Sequence, residues 1–287
     1  MHHSHPESRA LGFLLGLTDE ETARRVRTRV GLTGGARETS ASRRQRLNRP
    51  WTWPPDVPSS VVLWVLQEDD PQLNAVVWQY TGLDTGLRRA LARGIPFGPG
   101  RERPLRPGSR LPVEEPGIPE SYVRHGLVGA LRAATTMATG RAAASMVLTP
   151  DDWASVTEAD AERALPGYAR WALSVRPDCP PATRAGFGAH PKFAHRLRGA
   201  GVLDGPAEYA LDHGPAVRVL DLLSMGGALF PARIGEAEDA LRPLAGRHLG
   251  DRVEAWTALA RLIGTFRGTA RELTAAAGAV ARNGARR

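Results

Sequence analysis

The sequence predicts an all-α fold of short helices that are separated by proline and glycine. Apolar residues recur at the three- and four-residue spacing of a helix face, and prolines stand where helices could begin. No segment convincingly alternates apolar and polar residues as a half-buried strand does. The chain has 287 residues, of which 42% are hydrophobic and 24% charged. This size and composition suit one large globular domain or two small ones.

The N-terminal region is predicted to be helical over residues 6–31, with an apolar stripe of leucines. Thr18 followed by Glu21 has the pattern of a capping box, which could start a second helix. Residues 32–58 lose helical periodicity and are rich in Gly, Ser, Arg and Pro, so we expect a long loop or arm there. We therefore predict an N-terminal helix with a basic, partly disordered arm (residues 1–58), followed by a helical body (residues 59–287).

An ordered block is predicted from residue 59 to residue 94. Either Ser59 or Ser60 could cap its first helix. The six apolar residues that follow could form a helix or a buried strand, and we favour a helix because the neighbouring segments are helical. Pro71 suits the first turn of a second helix, and Asp84 suits the N-cap of a third.

The rest of the body is predicted to contain one long loop and then helices to the end. Proline and glycine are too dense in residues 95–118 for a helix or a central strand. Residues 119–287 are predicted to be helical, and the clearest amphipathic helix lies near residues 251–267. Helix starts are expected near Thr149, Pro166, Pro180, Pro191, Pro206, Pro215 and Asp251.

Two stretches of the body can be aligned loosely, one from Asp69 and one from Leu165. Each has a helix entered through proline, an aromatic residue, a turn with an aspartate and a helix with arginine. This pattern resembles α-solenoids, specifically HEAT repeats and the leucine-rich-repeat variant, over residues 59–94 and 150–215. The resemblance implies an extended protein-binding surface, but no period persists through three units, so an irregular helical bundle stays an alternative. The composition also resembles that of actinobacterial proteins.

The net charge of +8 is concentrated at the two ends of the chain. Residues 24–49 contain nine arginines against Glu38 alone, whereas residues 51–281 sum to zero. This arm either binds an anion such as nucleic acid or is a solvated segment that reflects GC-rich codon usage. Trp51 and Trp53 follow the arm and are candidate interaction residues. The candidate anion-binding residues are Arg24, Arg25, Arg27, Arg29, Arg43, Arg44, Arg46 and Arg49.

No standard catalytic signature is found, neither a phosphate-binding loop, nor HExxH, nor GxSxG. The sole cysteine, Cys179, could form a nucleophile pair with His190 or His195, or it could be a buried small apolar residue. We expect no cofactor and no metal. Two further groups of residues could bind a metal ion. The first is the acidic group around Trp153, which is explained more simply as acids that favour a helix start: Asp151, Asp152, Glu158, Asp160 and Glu162. The second is the group of His2, His3 and His5, which is explained more simply as part of a polar terminus.

These observations leave three functional hypotheses. The first is a non-enzymatic helical scaffold that binds another protein, because helical content is high and catalytic motifs are absent. The second is nucleic-acid binding through residues 24–49, and the third is an enzyme without a recognisable motif. No run of 18 apolar residues and no signal-peptide pattern are present, so we expect a cytoplasmic protein without a membrane partner.

Overall fold

The computed structural model describes residues 6–32, 57–98, 115–188 and 191–284. Throughout these ranges the regular secondary structure is helical, without a strand, which confirms the all-α prediction. The chain divides into two compact units, one formed by residues 1–50 with 205–287 and the other by residues 51–204. The predicted division at residue 58 does not coincide with this one, because the N-terminal helices belong to the same unit as the C-terminal ones.

The unit of residues 51–204 contains nine described helices in three groups. The first group is α3 (Ser59–Leu66), α4 (Pro71–Trp78) and α5 (Thr85–Ala92). The second is α6 (Glu120–Arg132), α7 (Met137–Ala143) and α8 (Pro150–Glu162). The third is α9 (Gly167–Ser174), α10 (Pro181–Phe187) and α11 (Pro191–Arg198). The six-residue apolar run is therefore helical, as favoured.

The serines at the start of α3 do not cap it, contrary to the sequence prediction. Pro58 is the N-cap residue and offers no side-chain hydrogen bond. The hydroxyl groups instead connect α3 to the end of the same unit: Ser59 donates to the carbonyls of Ala200 and Gly201, and Ser60 donates to that of Leu203. A polar side chain near a helix start can thus be used for a long-range contact, which the sequence does not distinguish from capping.

Most other helix boundaries follow the predicted proline and aspartate signals. Asp84 caps α5 by accepting from the amides of Gly86 and Leu87, and Pro71 occupies the first turn of α4. Gly126 interrupts α6, with φ 65° and ψ −174°, and so divides it into two short helices. Residues that carry a side chain rarely adopt this backbone conformation, which explains why this position is a glycine.

The other unit combines the two N-terminal helices with the C-terminal ones. Its helices are α1 (Pro6–Leu15), α2 (Glu20–Val30), α12 (Pro206–Asp212), α13 (Ala216–Ser224), α14 (Gly226–Leu229), α15 (Ile234–His248), α16 (Val253–Leu262) and α17 (Ala270–Gly284). α1 packs against α13, and α2 packs against α16. Arg9 and Asp221 form a two-bond ion pair between α1 and α13, with nitrogen–oxygen distances of 2.5 and 2.8 Å.

The second helix begins one residue later than the predicted capping box. Asp19 is its N-cap, and the Asp19 carboxylate accepts from the amide of Thr22 at 2.8 Å. Thr18 therefore does not cap α2. No helix in the described part of the chain is long and apolar enough to cross a membrane.

Candidate functional site

The unit of residues 51–204 holds an arginine that is almost completely buried, Arg176. Its side chain is 2% exposed and forms two hydrogen bonds to the carboxylate of Asp178, at 2.9 and 2.6 Å. The same guanidinium donates to the carbonyls of Met146, at 2.7 Å, and Ala144. A buried cation needs such compensation because removing it from water is costly. Arg176 therefore holds the segment after α7 against the turn that joins α9 to α10.

Asp84 is a half-buried charge near Arg176. Burial raises the pKa of the Asp84 carboxyl. Attraction to Arg176 and the hydrogen bonds that Asp84 accepts from two backbone amides work to lower this pKa, but on balance it is raised. Burial also works to lower the pKa of Arg176, but Asp178 and Asp84 outweigh it, and the pKa of Arg176 is raised. The charged form of Arg176 thus gains more from Asp178 and Asp84 than it loses by burial, whereas at Asp84 burial outweighs the attraction to Arg176. Their partners are groups of the protein, which indicates a structural role.

A second buried arginine, Arg89, has the same kind of environment. Its side chain is fully buried and donates to the carbonyls of Ser145, Pro116 and Gly117. It also pairs at 2.8 Å with Glu115, which Arg93 contacts as well. The two arginines hold the pKa of the Glu115 carboxyl below its ordinary value. Arg89 therefore fixes the residues that precede α6 onto α5.

The environment of Cys179 opposes its use as a nucleophile. Its side chain is buried, and burial raises the pKa of the thiol from 9.0 to about 12. The thiolate is the reactive form of cysteine, so a raised pKa lowers reactivity. His195 is exposed, and His190 lies outside the described residues.

The acidic residues around Trp153 are partly explained by helix geometry. Asp152 and Thr149 form the capping box of α8, with Asp152 accepting from the amide of Thr149 at 2.8 Å. Asp160 accepts from the amide of Leu165 and pairs with Arg170 at 2.8 and 2.9 Å. Within the described ranges, no group of three or more His, Cys, Asp or Glu residues could hold a metal ion.

A cluster of cations lies over aromatic rings where α7, α9 and α11 meet. The guanidinium carbon of Arg141 is 5.1 Å from the ring centre of Trp171. The ammonium nitrogen of Lys192 is 4.8 Å from the ring centre of Tyr168, and donates to the Tyr168 hydroxyl at 2.8 Å. Such distances are those of cation–π contacts. We call the exposed residues Arg141, Lys192 and Arg196 the cationic face.

The rings beneath the cationic face are packed against each other and largely withdrawn from water. Trp171 stacks on Phe193, with 6.0 Å between ring centres, and Tyr168 meets Phe193 edge-on at 5.3 Å. Trp171 is 5% exposed and Phe193 is 4% exposed. Close packing of α7 on α9 requires Gly140, because a Cβ atom there would lie 2.6 Å from the Tyr168 carbonyl oxygen. Arg141 and Lys192 thus lie over rings, and Trp171 and Phe193 expose almost no apolar surface to solvent.

No protein-family model matches this chain, and no significant match to a curated protein or to a solved structure was found. The candidate site therefore depends on geometry alone. The HEAT-like resemblance stays a prediction from the sequence.

The predicted anion-binding residues fall partly on α2. Arg24 and Arg27 pair with Glu21 and Glu20 on the same helix, and Arg25 donates to the carbonyl of Asp251. Arg29 is exposed. The remaining candidates lie outside the described residues: Arg43, Arg44, Arg46, Arg49, Trp51 and Trp53, as do His2, His3 and His5.

The cationic face was not predicted from the sequence, although His195 of α11 was singled out. A sequence signal for it exists. Residues 121–150 and 179–203 contain no acidic residue, and neither does α9. Only the packing of α7, α9 and α11 turns these acid-free stretches into one surface.

Proposed function

We propose that this chain is a non-enzymatic interaction module that binds another protein through the surface of its helices. The observation that carries the proposal is how its buried charged groups are used. The buried Arg89 and Arg176 and the half-buried Asp84 are all bonded to groups of the protein itself. Catalytic sites commonly leave a perturbed group facing a cleft, where it can reach a substrate. Here the buried charges connect loops to helices and face no cleft in the part of the chain that the structure describes. We therefore look for the functional contacts on the surface of the helices.

An exposed apolar pair at the start of α6 is the best candidate contact for a protein partner. Ile118 is 51% exposed and Val123 is 72% exposed. Pro119 is the N-cap of α6, so these residues occupy the N′ and N4 positions, at which apolar residues are common. Large apolar side chains exposed together are typical of interaction sites. Tyr122, on the same helix turn, is half-buried and adds an aromatic side chain.

The test compares substitutions at this pair with a matched apolar site elsewhere. Val280 is 53% exposed in the other unit and serves as the control position. Proteins retained by the immobilised chain are quantified for the wild type, Ile118→Asp/Val123→Asp and Val280→Asp. We expect a stoichiometric partner with the wild type and the control, and its loss with the double variant. A partner set that is the same for all three chains would contradict the proposed surface. No partner for the wild type would contradict the proposed function.

Nucleic-acid binding through residues 24–49 is the second candidate function. The observation that favours it is that α2 presents Arg24, Arg25 and Arg29 as exposed residues. If the arm neutralises about six phosphates, the log of the affinity falls with the log of salt concentration at a slope near −5. Substitution of the eight candidate arginines by glutamine should remove that slope while keeping helix α2, whose Val26 is buried. A slope unchanged by these substitutions would exclude the arm as the contact.

A further inference from the structure

We infer that the partner of the exposed apolar pair on α6 is a second copy of this chain, which binds through the same residues to form a two-fold dimer. The inference rests on the proposed function, because it uses the same surface and names its partner. In the retention experiment above, the partner would then be untagged copies of the chain. We call Ile118, Glu120, Val123 and Arg124, which are all exposed, the α6 face.

The first support is that three residues of the α6 face lie on one outward side of a helix turn. Glu120, Val123 and Arg124 are three and four residues apart, which is the spacing of neighbours on a helix surface. Gly126 ends this turn, and the buried residues of α6 all follow it. The turn before Gly126 therefore presents this side to solvent, where a second molecule can reach it.

The second support is that the charges of the α6 face are self-complementary. Glu120 and Arg124 form an ion pair on the helix, yet their side chains stay 81% and 64% exposed. Each lies two residues from Tyr122, one on either side. A two-fold axis at the level of Tyr122, with the two helices antiparallel, therefore brings Glu120 of each copy next to Arg124 of the other. A two-fold interface requires this reciprocity, in which residue i contacts j and j contacts i.

The third support is the position of the apolar residues relative to this axis. Val123 is one residue from Tyr122 in the sequence and is 72% exposed, so the two copies of Val123 meet beside the axis. Ile118 precedes the turn, is 51% exposed and adds apolar area at each end. An apolar centre with charged residues around it is the usual arrangement of a protein interface.

The net charge of the α6 face also suits a second copy. The whole chain carries a charge of +8, which opposes the association of two copies. The α6 face contains one acid and one base, so its own charge is zero and two such faces attract rather than repel. One helix turn from each copy makes a small interface, and small interfaces are typical of weak association. We therefore expect a dimer that forms at high protein concentration.

The experiment measures the mass of the purified full chain by sedimentation equilibrium from about 1 μM to about 1 mM, the range in which weak association is populated. The test variants are Glu120→Arg and Arg124→Glu. Each places like charges opposite each other at both ion pairs of the dimer, so its self-association should be about tenfold weaker than that of the wild type. An equimolar mixture of the two variants restores opposite charges at both pairs, so we expect the mixture to associate like the wild type.

The matched controls are Glu21→Arg and Arg24→Glu, which make the same charge changes in an exposed pair on α2. We expect both controls to associate like the wild type, because they leave the α6 face intact. The inference is overturned if the wild type stays monomeric, if the controls weaken association as much as the test variants, or if the mixture associates no more tightly than either test variant alone. A monomeric wild type that retains a different protein through Ile118 and Val123 would overturn the choice of partner and leave the proposed function standing.

Discussion

Arg176→Met is the substitution that best tests our account of the buried charges. Methionine keeps an unbranched side chain against Trp153 but removes the guanidinium, which stands 5.7 Å from that ring. The carbonyls of Ala144 and Met146 then lose their donor, and Asp178 loses both hydrogen bonds. Breaking a buried ion pair by removing one partner costs about 3–5 kcal/mol, because the other charge is left uncompensated. We expect a loss near the middle of that range in the free energy of unfolding.

The assay is urea denaturation followed by circular dichroism, with hydrogen exchange of the α5 and α9 amides to report on the unit of residues 51–204. The control is Arg124→Met, because Arg124 forms an exposed i,i+4 pair with Glu120 on α6. Exposed helix pairs contribute about 0.3–0.5 kcal/mol, so the control should change stability little. A loss below about 1 kcal/mol for Arg176→Met, or a loss equal to that of the control, would refute the structural role of this arginine.

Three further predictions concern the same unit. The folded-state pKa of Asp84 is raised, so the stability that it contributes is present below the ordinary value of 3.8 and falls as pH rises through the raised pKa. The stability of Asp84→Asn relative to the wild type should therefore increase from pH 4 to pH 7 in urea denaturation, and a constant difference would contradict the raised pKa. Cys179 should react with a disulfide reagent at neutral pH up to about a thousandfold more slowly in the native chain than in urea, since burial raises the pKa of its thiol from 9.0 to about 12 and lowers the fraction of thiolate. Equal rates would show that the thiol is accessible and ionised. Gly126→Ala should cost about 1–3 kcal/mol because φ is 65°, whereas Gly186→Ala, within α10 and with open space around a Cβ, should stabilise by about 0.5–1 kcal/mol. Similar melting temperatures for the two variants would be evidence against strain at Gly126.

The sequence predicted helices well where the signals were local. Pro71 and Asp84 act within one or two turns of the helix that they start, so their effect can be read without knowing the fold. The cap of α2 was placed one residue early because Thr18 and Asp19 are adjacent acceptors, and the pattern alone does not choose between them. The serines of α3 were misassigned because their partners are carbonyls at residues 200–203.

The candidate site was harder to predict because it is made of residues that are distant in sequence. The acid-free stretches could be read from the sequence, but nothing local says that Arg141 and Lys192 share a surface. Their shared surface depends on α7 and α11 both contacting α9. In the same way, the arginine count did not show that Arg89 and Arg176 are buried.

The sequence by itself determined the all-α class, most helix starts and the concentration of charge at the chain ends. These properties follow from residue spacing, backbone restrictions and composition, all of which act over short stretches of chain. The tertiary structure alone decided which arginines are buried and bonded to loop carbonyls and which lie exposed on the cationic face. That choice depends on the carbonyls, carboxylates and rings that packing brings to each guanidinium, because solvation and partners determine what a charge does.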